Sequence, residues 1–189
     1  MCTHTKNNMS LEGKTVFFVR TSSVARIPVY KHLRTLGLKL YVVHPFVNEA
    51  FDGCFDGWLV QETNDVAALQ RAVEDFVADK QLTPDVYVSF DEYGVYAAAR
   101  LSEAHKLRPV PLPSSALQQT SVKSAFRKFC KEHSIASPKS VAVFSQDADL
   151  DQLISGAGIE FPVVIKPSPG AGSLLAKLCA SMGELSRHA

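Results

Sequence analysis

The 189-residue chain lacks a long apolar run, a strong net charge and any CxxC spacing of its cysteines. Its apolar stretches are far too short to cross a bilayer, so we expect no association with membranes. A formal net charge of +1 gives no electrostatic basis for binding nucleic acid. The four scattered cysteines favour reduced thiols over disulfides or a metal site. Together these absences predict a soluble, cytoplasmic protein.

The N-terminal segment has neither an apolar signal core nor an Arg-rich amphipathic leader. We expect residues 1–13 to form a disordered tail. From Lys14 onward, β-branched runs alternate with helical patterns, and the strands are predicted at residues 15–20, 38–44, 58–61 and 86–90. This alternation predicts an open parallel sheet with helices on both faces, over residues 14–112.

A proline-rich segment, residues 108–115, marks a change in the pattern of the chain. Beyond it we expect a second domain at residues 113–189. Its helices are predicted at residues 114–120, 121–133, 150–154 and 181–189, and its strands at 140–144, 161–165 and 174–179. The last two strands enclose a glycine-containing loop, which predicts a hairpin.

The stretch FPVVIKPSPGAGS, residues 161–173, carries the clearest chemical signal. A short apolar strand ends at Lys166, and a loop containing Gly170 and Gly172 follows. Glycines let a backbone approach a ligand closely and present its N–H groups. A strand-end ammonium beside exposed amides is suited to holding a polyphosphate, although an ordinary turn between two strands also fits the pattern.

Two familiar phosphate-binding motifs match this stretch less well. In a Walker A loop the lysine follows the glycines, whereas Lys166 precedes them. In a dinucleotide-binding fingerprint a third glycine opens a helix, and here that position is Leu175. An NAD-binding oxidoreductase is further disfavoured because no glycine fingerprint follows Arg20.

The arrangement PVVIKPSPGAGS between two strands resembles the ATP-grasp superfamily. A K-x-x-x-R segment, Lys123 to Arg127, precedes it in the order found in that family, although spacing alone favours a solvated helix face there. The resemblance implies a Rossmann-like pre-ATP-grasp domain followed by an incomplete α+β ATP-grasp subdomain. It assigns Lys123 and Lys166 to the α- and β-phosphates of ATP. It assigns the covering of the phosphates by backbone amides to Gly170, Ala171, Gly172 and Ser173.

Polar residues follow two strands of the predicted parallel sheet at their carboxyl ends, where open α/β sheets bind ligands. We expect a small acid to bind there through Thr21, Ser22, Ser23, Asp91 and Glu92. The same residue types are also common in turns and helix caps, and that alternative stays open.

The resemblance implies an ATP-dependent carboxylate–amine ligase that works through an acyl phosphate, similar to carnosine synthase-like ligases of amino acids and peptides. Its partners would be ATP and a small carboxylate or amino acid, and a homodimer is left open. Magnesium is expected only in a complete enzyme, because the family's metal-holding residues have no counterpart in these 189 residues. The alternative is a non-catalytic nucleotide- or metabolite-binding module, or a regulatory short form.

Overall fold

A computed structural model of the chain describes residues 10–145, 147–168, 172 and 175–188. The chain divides into two compact units, one ending at Ser114 and the other beginning at Ser115. The first unit contains a four-stranded sheet in the order β3-β2-β1-β4, and the second contains a two-stranded sheet, β5-β6.

The sheet of the first unit is parallel throughout, which confirms the prediction from the sequence. Its strands are β1 (Thr15–Val19), β2 (Lys39–His44), β3 (Gly57–Val60) and β4 (Val86–Val88). The central strand β1 is buried along its whole length. The residues that follow β1 and β4 therefore lie at the same carboxyl edge of the sheet.

Helix α1 (Ile27–Thr35) connects β1 to β2, helix α2 (Val66–Asp79) connects β3 to β4, and helix α3 (Glu92–Ala104) follows β4. A 3-10 turn, Val24–Arg26, immediately precedes α1. Helix α3 begins earlier than its alanine-rich stretch because the Asp91 carboxylate caps it, accepting a hydrogen bond from the Tyr93 amide at 2.8 Å. Among the described residues, no helix combines the length and hydropathy needed to cross a membrane.

Side chains of β1 alternate between two apolar clusters, one on each face of the sheet. Val16 and Phe18 pack with Tyr30 on the face covered by α1, whereas Phe17 and Val19 pack with residues of α2 and α3 on the other. Complete burial of a side chain of this size contributes about 1.5–3 kcal/mol. The helices on both faces hold the carboxyl edge in place.

The second unit contains the helices α4 (Ser114–Ser121), α5 (Lys123–Glu132), α6 (Leu150–Gly156) and α7 (Met182–Ser186). The first residue of α4, Ser114, is the last residue of the first unit. Its strands, β5 (Val163–Ile165) and β6 (Lys177–Cys179), pair antiparallel, which confirms the predicted hairpin. The strand predicted at residues 140–144 is wrong, because residues 140–145 form no strand. Phe144 is 89% exposed, so the apolar residues of this segment have no sheet to pack against.

Candidate functional sites

The lysine hairpin places Lys166 directly after β5, with an exposed side chain. Ile165 pairs with Lys177 of the returning strand, so Lys166 lies where the two strands separate. Gly172 lies in the connecting loop with a φ of +67°, in the left-handed region that favours glycine. Gly170, Ala171 and Ser173 lie outside the described residues.

The N-terminus of α5 is tied to the residue that follows Lys166 and Pro167. The Lys123 amide donates to the Ser168 carbonyl at 3.1 Å, and the Ser124 amide donates to Ser168 Oγ at 3.1 Å. The Ser124 and Ser168 hydroxyls are 2.8 Å apart. Val122, which occupies the N-cap position, makes no side-chain capping bond, so Ser168 caps α5 from another element.

This contact brings the two lysines predicted for ATP to neighbouring segments of one unit. Lys123 Nζ also donates to the Ser168 carbonyl, at 3.4 Å, and its side chain is half-buried. Since Ser168 engages the amides of Lys123 and Ser124, these two amides are not the groups that would meet a phosphate. Neither Ser124 nor Ser168 carried a signal in the sequence, because their role depends on a contact between distant segments.

At the carboxyl edge of the first unit, Thr21 is buried, with 1% of its surface exposed, and its backbone is held by two neighbouring side chains. Its amide donates to His44 Nδ1 at 3.3 Å, and its carbonyl accepts a hydrogen bond from the Tyr30 hydroxyl at 2.7 Å. Burial raises the pKa of Tyr30, which keeps this hydroxyl protonated as a donor.

The other residues predicted for a small acid also have partners within the fold or face solvent. Ser22 Oγ donates to the Phe90 carbonyl at 3.1 Å, and Ser23 Oγ accepts a hydrogen bond from the Ala25 amide at 3.3 Å. Asp91 caps α3, and Glu92 is exposed in its first turn. The structure thus gives these side chains turn and cap roles, and their binding of a substrate stays a prediction.

Arg20 is the residue at this edge that the sequence reasoning missed. Its Nη1 lies 3.3 Å from Thr63 Oγ1, its Nε lies 3.7 Å from Asp91 Oδ1, and its guanidinium carbon is 5.6 Å from the centre of the Tyr93 ring. The side chain is 24% exposed. Within the described residues, its buried Nε has no hydrogen-bond partner. Its place as the first residue after the buried strand β1 was a signal that could have identified it.

His44 lies beside this arginine and is 6% exposed. Burial, and then the positive charge of Arg20, lower the pKa of His44 below its usual value. Because Nδ1 accepts the Thr21 amide, the neutral ring carries its proton on Nε2. At this edge the Arg20 cation therefore lies beside a neutral imidazole.

Comparison with solved structures identifies the architecture. An L-amino acid ligase from Bacillus licheniformis matches with a TM-score of 0.73 and 15% identity, covering 93% of this chain and 41% of that chain. An N5-carboxyaminoimidazole synthetase from Staphylococcus aureus complexed with ADP matches with a TM-score of 0.65 and 16% identity, covering 93% and 44%. The chain has the ATP-grasp fold.

A third ATP-grasp structure is the biotin carboxylase domain dimer of a 2-oxoglutarate carboxylase from Hydrogenobacter thermophilus, in complex with MgADP, ADP and bicarbonate. It matches with a TM-score of 0.64 and 16% identity, covering 91% of this chain and 39% of that chain. The chain spans about two fifths of the length of these proteins. Identities this low establish the ATP-grasp fold alone. No protein-family model matches the sequence, and a comparison with curated proteins gives no match either.

In the part of the chain that the structure describes, no group of three or more His, Cys, Asp or Glu side chains is arranged to hold a metal ion.

Proposed function

We propose that this chain is the ATP-binding portion of an ATP-grasp carboxylate–amine ligase. The observation that carries the proposal is the contact of Ser168 with the N-terminus of α5. This contact places the Lys123 helix beside the end of the Lys166 strand within one unit. The family's two phosphate-binding lysines come from these same two segments.

The charges around this contact suit a polyphosphate. Lys123 and Lys166 supply two ammonium groups, and α5, a 10-residue helix, directs the positive end of its dipole toward Ser168. Hydrogen bonds from a charged donor to phosphate contribute about 1.5–3 kcal/mol each. Gly172, in the left-handed region, allows the loop to turn close to a ligand.

The reaction we propose proceeds in two balanced steps. A carboxylate oxygen attacks the γ-phosphorus of ATP, ADP leaves, and an acyl phosphate forms. An amine then attacks the acyl carbon, phosphate leaves, and the amine nitrogen loses a proton. Phosphoryl transfer depends mainly on positioning and charge stabilisation. In this chain Lys123 and Lys166 would hold the phosphates in place, and the hairpin loop would exclude water from the acyl phosphate.

The substrates we propose are ATP and a small carboxylate or amino acid, in the manner of amino-acid and carnosine synthase-like ligases. The similarity to an L-amino acid ligase supports this substrate class. The three described cysteines, Cys54, Cys130 and Cys179, are free and buried, consistent with a cytoplasmic enzyme. A homodimer is also proposed, because one structural neighbour was solved as a domain dimer.

The experiment is a calorimetric titration of the chain with ATP, repeated for Lys166→Ala and Lys123→Ala. Each variant should bind ATP about tenfold more weakly or worse, because each loses a charged hydrogen bond to phosphate. Lys131→Ala is the matched control, since Lys131 lies on the same helix about 12 Å from Lys123. It should leave ATP affinity unchanged.

Thermal melting of the same variants separates binding from folding. Unchanged ATP affinity in both Lys166→Ala and Lys123→Ala would refute the proposal. Phosphate release in the presence of ATP, magnesium and an amino-acid pool should stay far below the rate of a complete ligase, because these 189 residues lack the family's metal-holding residues. Robust amino-acid-dependent release that Lys166→Ala abolishes would contradict this expectation.

A further inference from the structure

The backbone at the end of β1 adopts an uncommon conformation around Arg20. Arg20 has a φ of 71° and Ser22 a φ of 59°, and both lie in the left-handed region that non-glycine residues rarely adopt. Such residues persist where the surroundings hold them, and they concentrate at binding and active sites. Here the Arg20 amide donates to the Val43 carbonyl at 2.8 Å, and the buried Thr21 is held by Tyr30 and His44.

This backbone turn directs the Arg20 side chain to the loop after β3 and to the start of α3, where its partners are poor. The bond from Nη1 to Thr63 Oγ1 is long, at 3.3 Å, and the 3.7 Å from Nε to Asp91 Oδ1 exceeds hydrogen-bond distance. Asp91 Oδ1 already accepts the Tyr93 amide at 2.8 Å. The hydrogen bond of Asp91 therefore goes to the N-terminus of α3, and its interaction with Arg20 is a longer-range attraction between charges.

The guanidinium is left with unused donors in a partly buried place. It has five N–H groups, and within the described residues only the bond to Thr63 uses one of them. Withdrawing a cation from water is unfavourable unless it is paired and hydrogen-bonded. A planar guanidinium in this state is suited to a carboxylate, which can accept two parallel hydrogen bonds from it.

The position of Arg20 agrees with such a role. It lies at the carboxyl edge of an open parallel sheet, where ligands of α/β proteins bind. The side chain is 24% exposed, so solvent reaches part of it. The Tyr93 ring lies against the guanidinium, with 5.6 Å between the guanidinium carbon and the ring centre, and limits the directions in which it can turn.

We propose that Arg20 is the anion-binding residue at this edge and takes the carboxylate of a small organic acid or amino acid. The anion site stands on the geometry of Arg20, Thr63 and Asp91, whereas the choice of a carboxylate rests on the proposed ligase function. Ser22 Oγ donates to the Phe90 carbonyl and Ser23 Oγ accepts from the Ala25 amide, so both hydroxyls hold the turn that presents Arg20.

His44 provides the readout, because Arg20 is one of the charges that lower its pKa. An anion beside Arg20 offsets that positive charge, so the pKa of His44 should rise when the site is filled.

The His44 ring is followed by NMR across pH, without ligand and with succinate, L-alanine or inorganic phosphate. The full chain is used, as wild type and as Arg20→Gln. Arg26→Gln, which removes an exposed arginine of the same unit, is the matched control.

A saturable carboxylate response should appear in the wild type and in Arg26→Gln, and binding should weaken at least tenfold in Arg20→Gln. Arg20→Lys, which keeps the charge and loses the fork of donors, should weaken binding less than Arg20→Gln. If thermal melting shows that Arg20→Gln does not fold, the Arg20→Lys variant tests the proposal in its place. No carboxylate response in the wild type, or an equal response in Arg20→Gln, would overturn the proposal. A phosphate response as strong as that to carboxylates would overturn the carboxylate assignment.

ATP titration of the same variants keeps this inference separate from the proposed function. ATP affinity should be unchanged in Arg20→Gln, because Lys123 and Lys166 belong to the other unit. Carboxylate binding through Arg20 in a chain that does not bind ATP would refute the ligase and keep the anion site. ATP binding without any carboxylate response would overturn the anion site and leave the proposed ATP-binding function standing.

Discussion

Gly94 allows α3 to approach the end of β1, and replacing it with alanine tests how the carboxyl edge is built. A Cβ at this position would collide with Ser89 Oγ and the Val19 carbonyl, and would lie 3.1 Å from Ser89 Cβ. Ser89 Oγ donates to that same Val19 carbonyl at 2.7 Å, so the added methyl group would enter an existing buried hydrogen bond.

The expected loss of stability follows from these contacts. Overpacking costs about 1–3 kcal/mol, and disturbing a buried hydrogen bond costs about 1–3 kcal/mol. Alanine regains up to about 1 kcal/mol of helix propensity. We therefore expect Gly94→Ala to lower the free energy of unfolding of the first unit by about 3 kcal/mol, and its melting temperature by about 10–20 °C.

Urea and thermal unfolding followed by circular dichroism measure this effect. Gly156→Ala is the control, because Gly156 is also helical and a Cβ added there would meet no heavy atom within 4 Å. That variant should be neutral or slightly stabilised. A Gly94→Ala protein as stable as the wild type would refute the close approach of α3 to β1.

Two further perturbations test the contacts on which the two sites depend. Ser168→Ala should accelerate hydrogen exchange of the Ser124 amide and destabilise the second unit by about 1 kcal/mol, as loss of a helix cap does. Ser168→Thr keeps the hydroxyl and should restore protection of that amide. Equal exchange in the wild type and both variants would contradict the capping role. Because the pKa of His44 is lowered from its usual value of 6.5, the unfolded chain takes up this proton first, and stability should fall as the pH drops below about 6.5. In urea unfolding across pH, His44→Asn should remove that part of the slope, and an unchanged slope would contradict the lowered pKa.

The parallel sheet was predictable because its signals are local. The strands are short apolar runs rich in β-branched and aromatic residues, and Asp65 caps α2 from the adjoining position in the sequence. The hairpin was predictable for the same reason, since β5 and β6 lie on either side of a glycine loop. The strand predicted at residues 140–144 failed because an apolar run becomes a strand only when a neighbouring strand pairs with it.

The candidate sites were predictable only in part. Lys166 and Gly172 follow from composition and position along the chain. The capping of α5 by Ser168 joins two residues, Ser124 and Ser168, that are 44 positions apart in the sequence. No local pattern encodes a contact over that distance. The strained turn at Arg20 depends likewise on Val43, Tyr30 and His44, which other elements supply.

The central claim is that the phosphates of ATP are held by Lys166 and the loop of the β5–β6 hairpin together with the side chain of Lys123 at the start of α5. Amide and lysine NMR signals recorded while the full chain is titrated with ATP, and separately with adenosine, test it most directly. ATP should shift the signals of Lys123, Ser124, Lys166, Ser168 and Gly172, and adenosine should leave both lysines unchanged because it carries no phosphate. Shifts confined to the first unit, or equal lysine shifts with adenosine, would contradict the account.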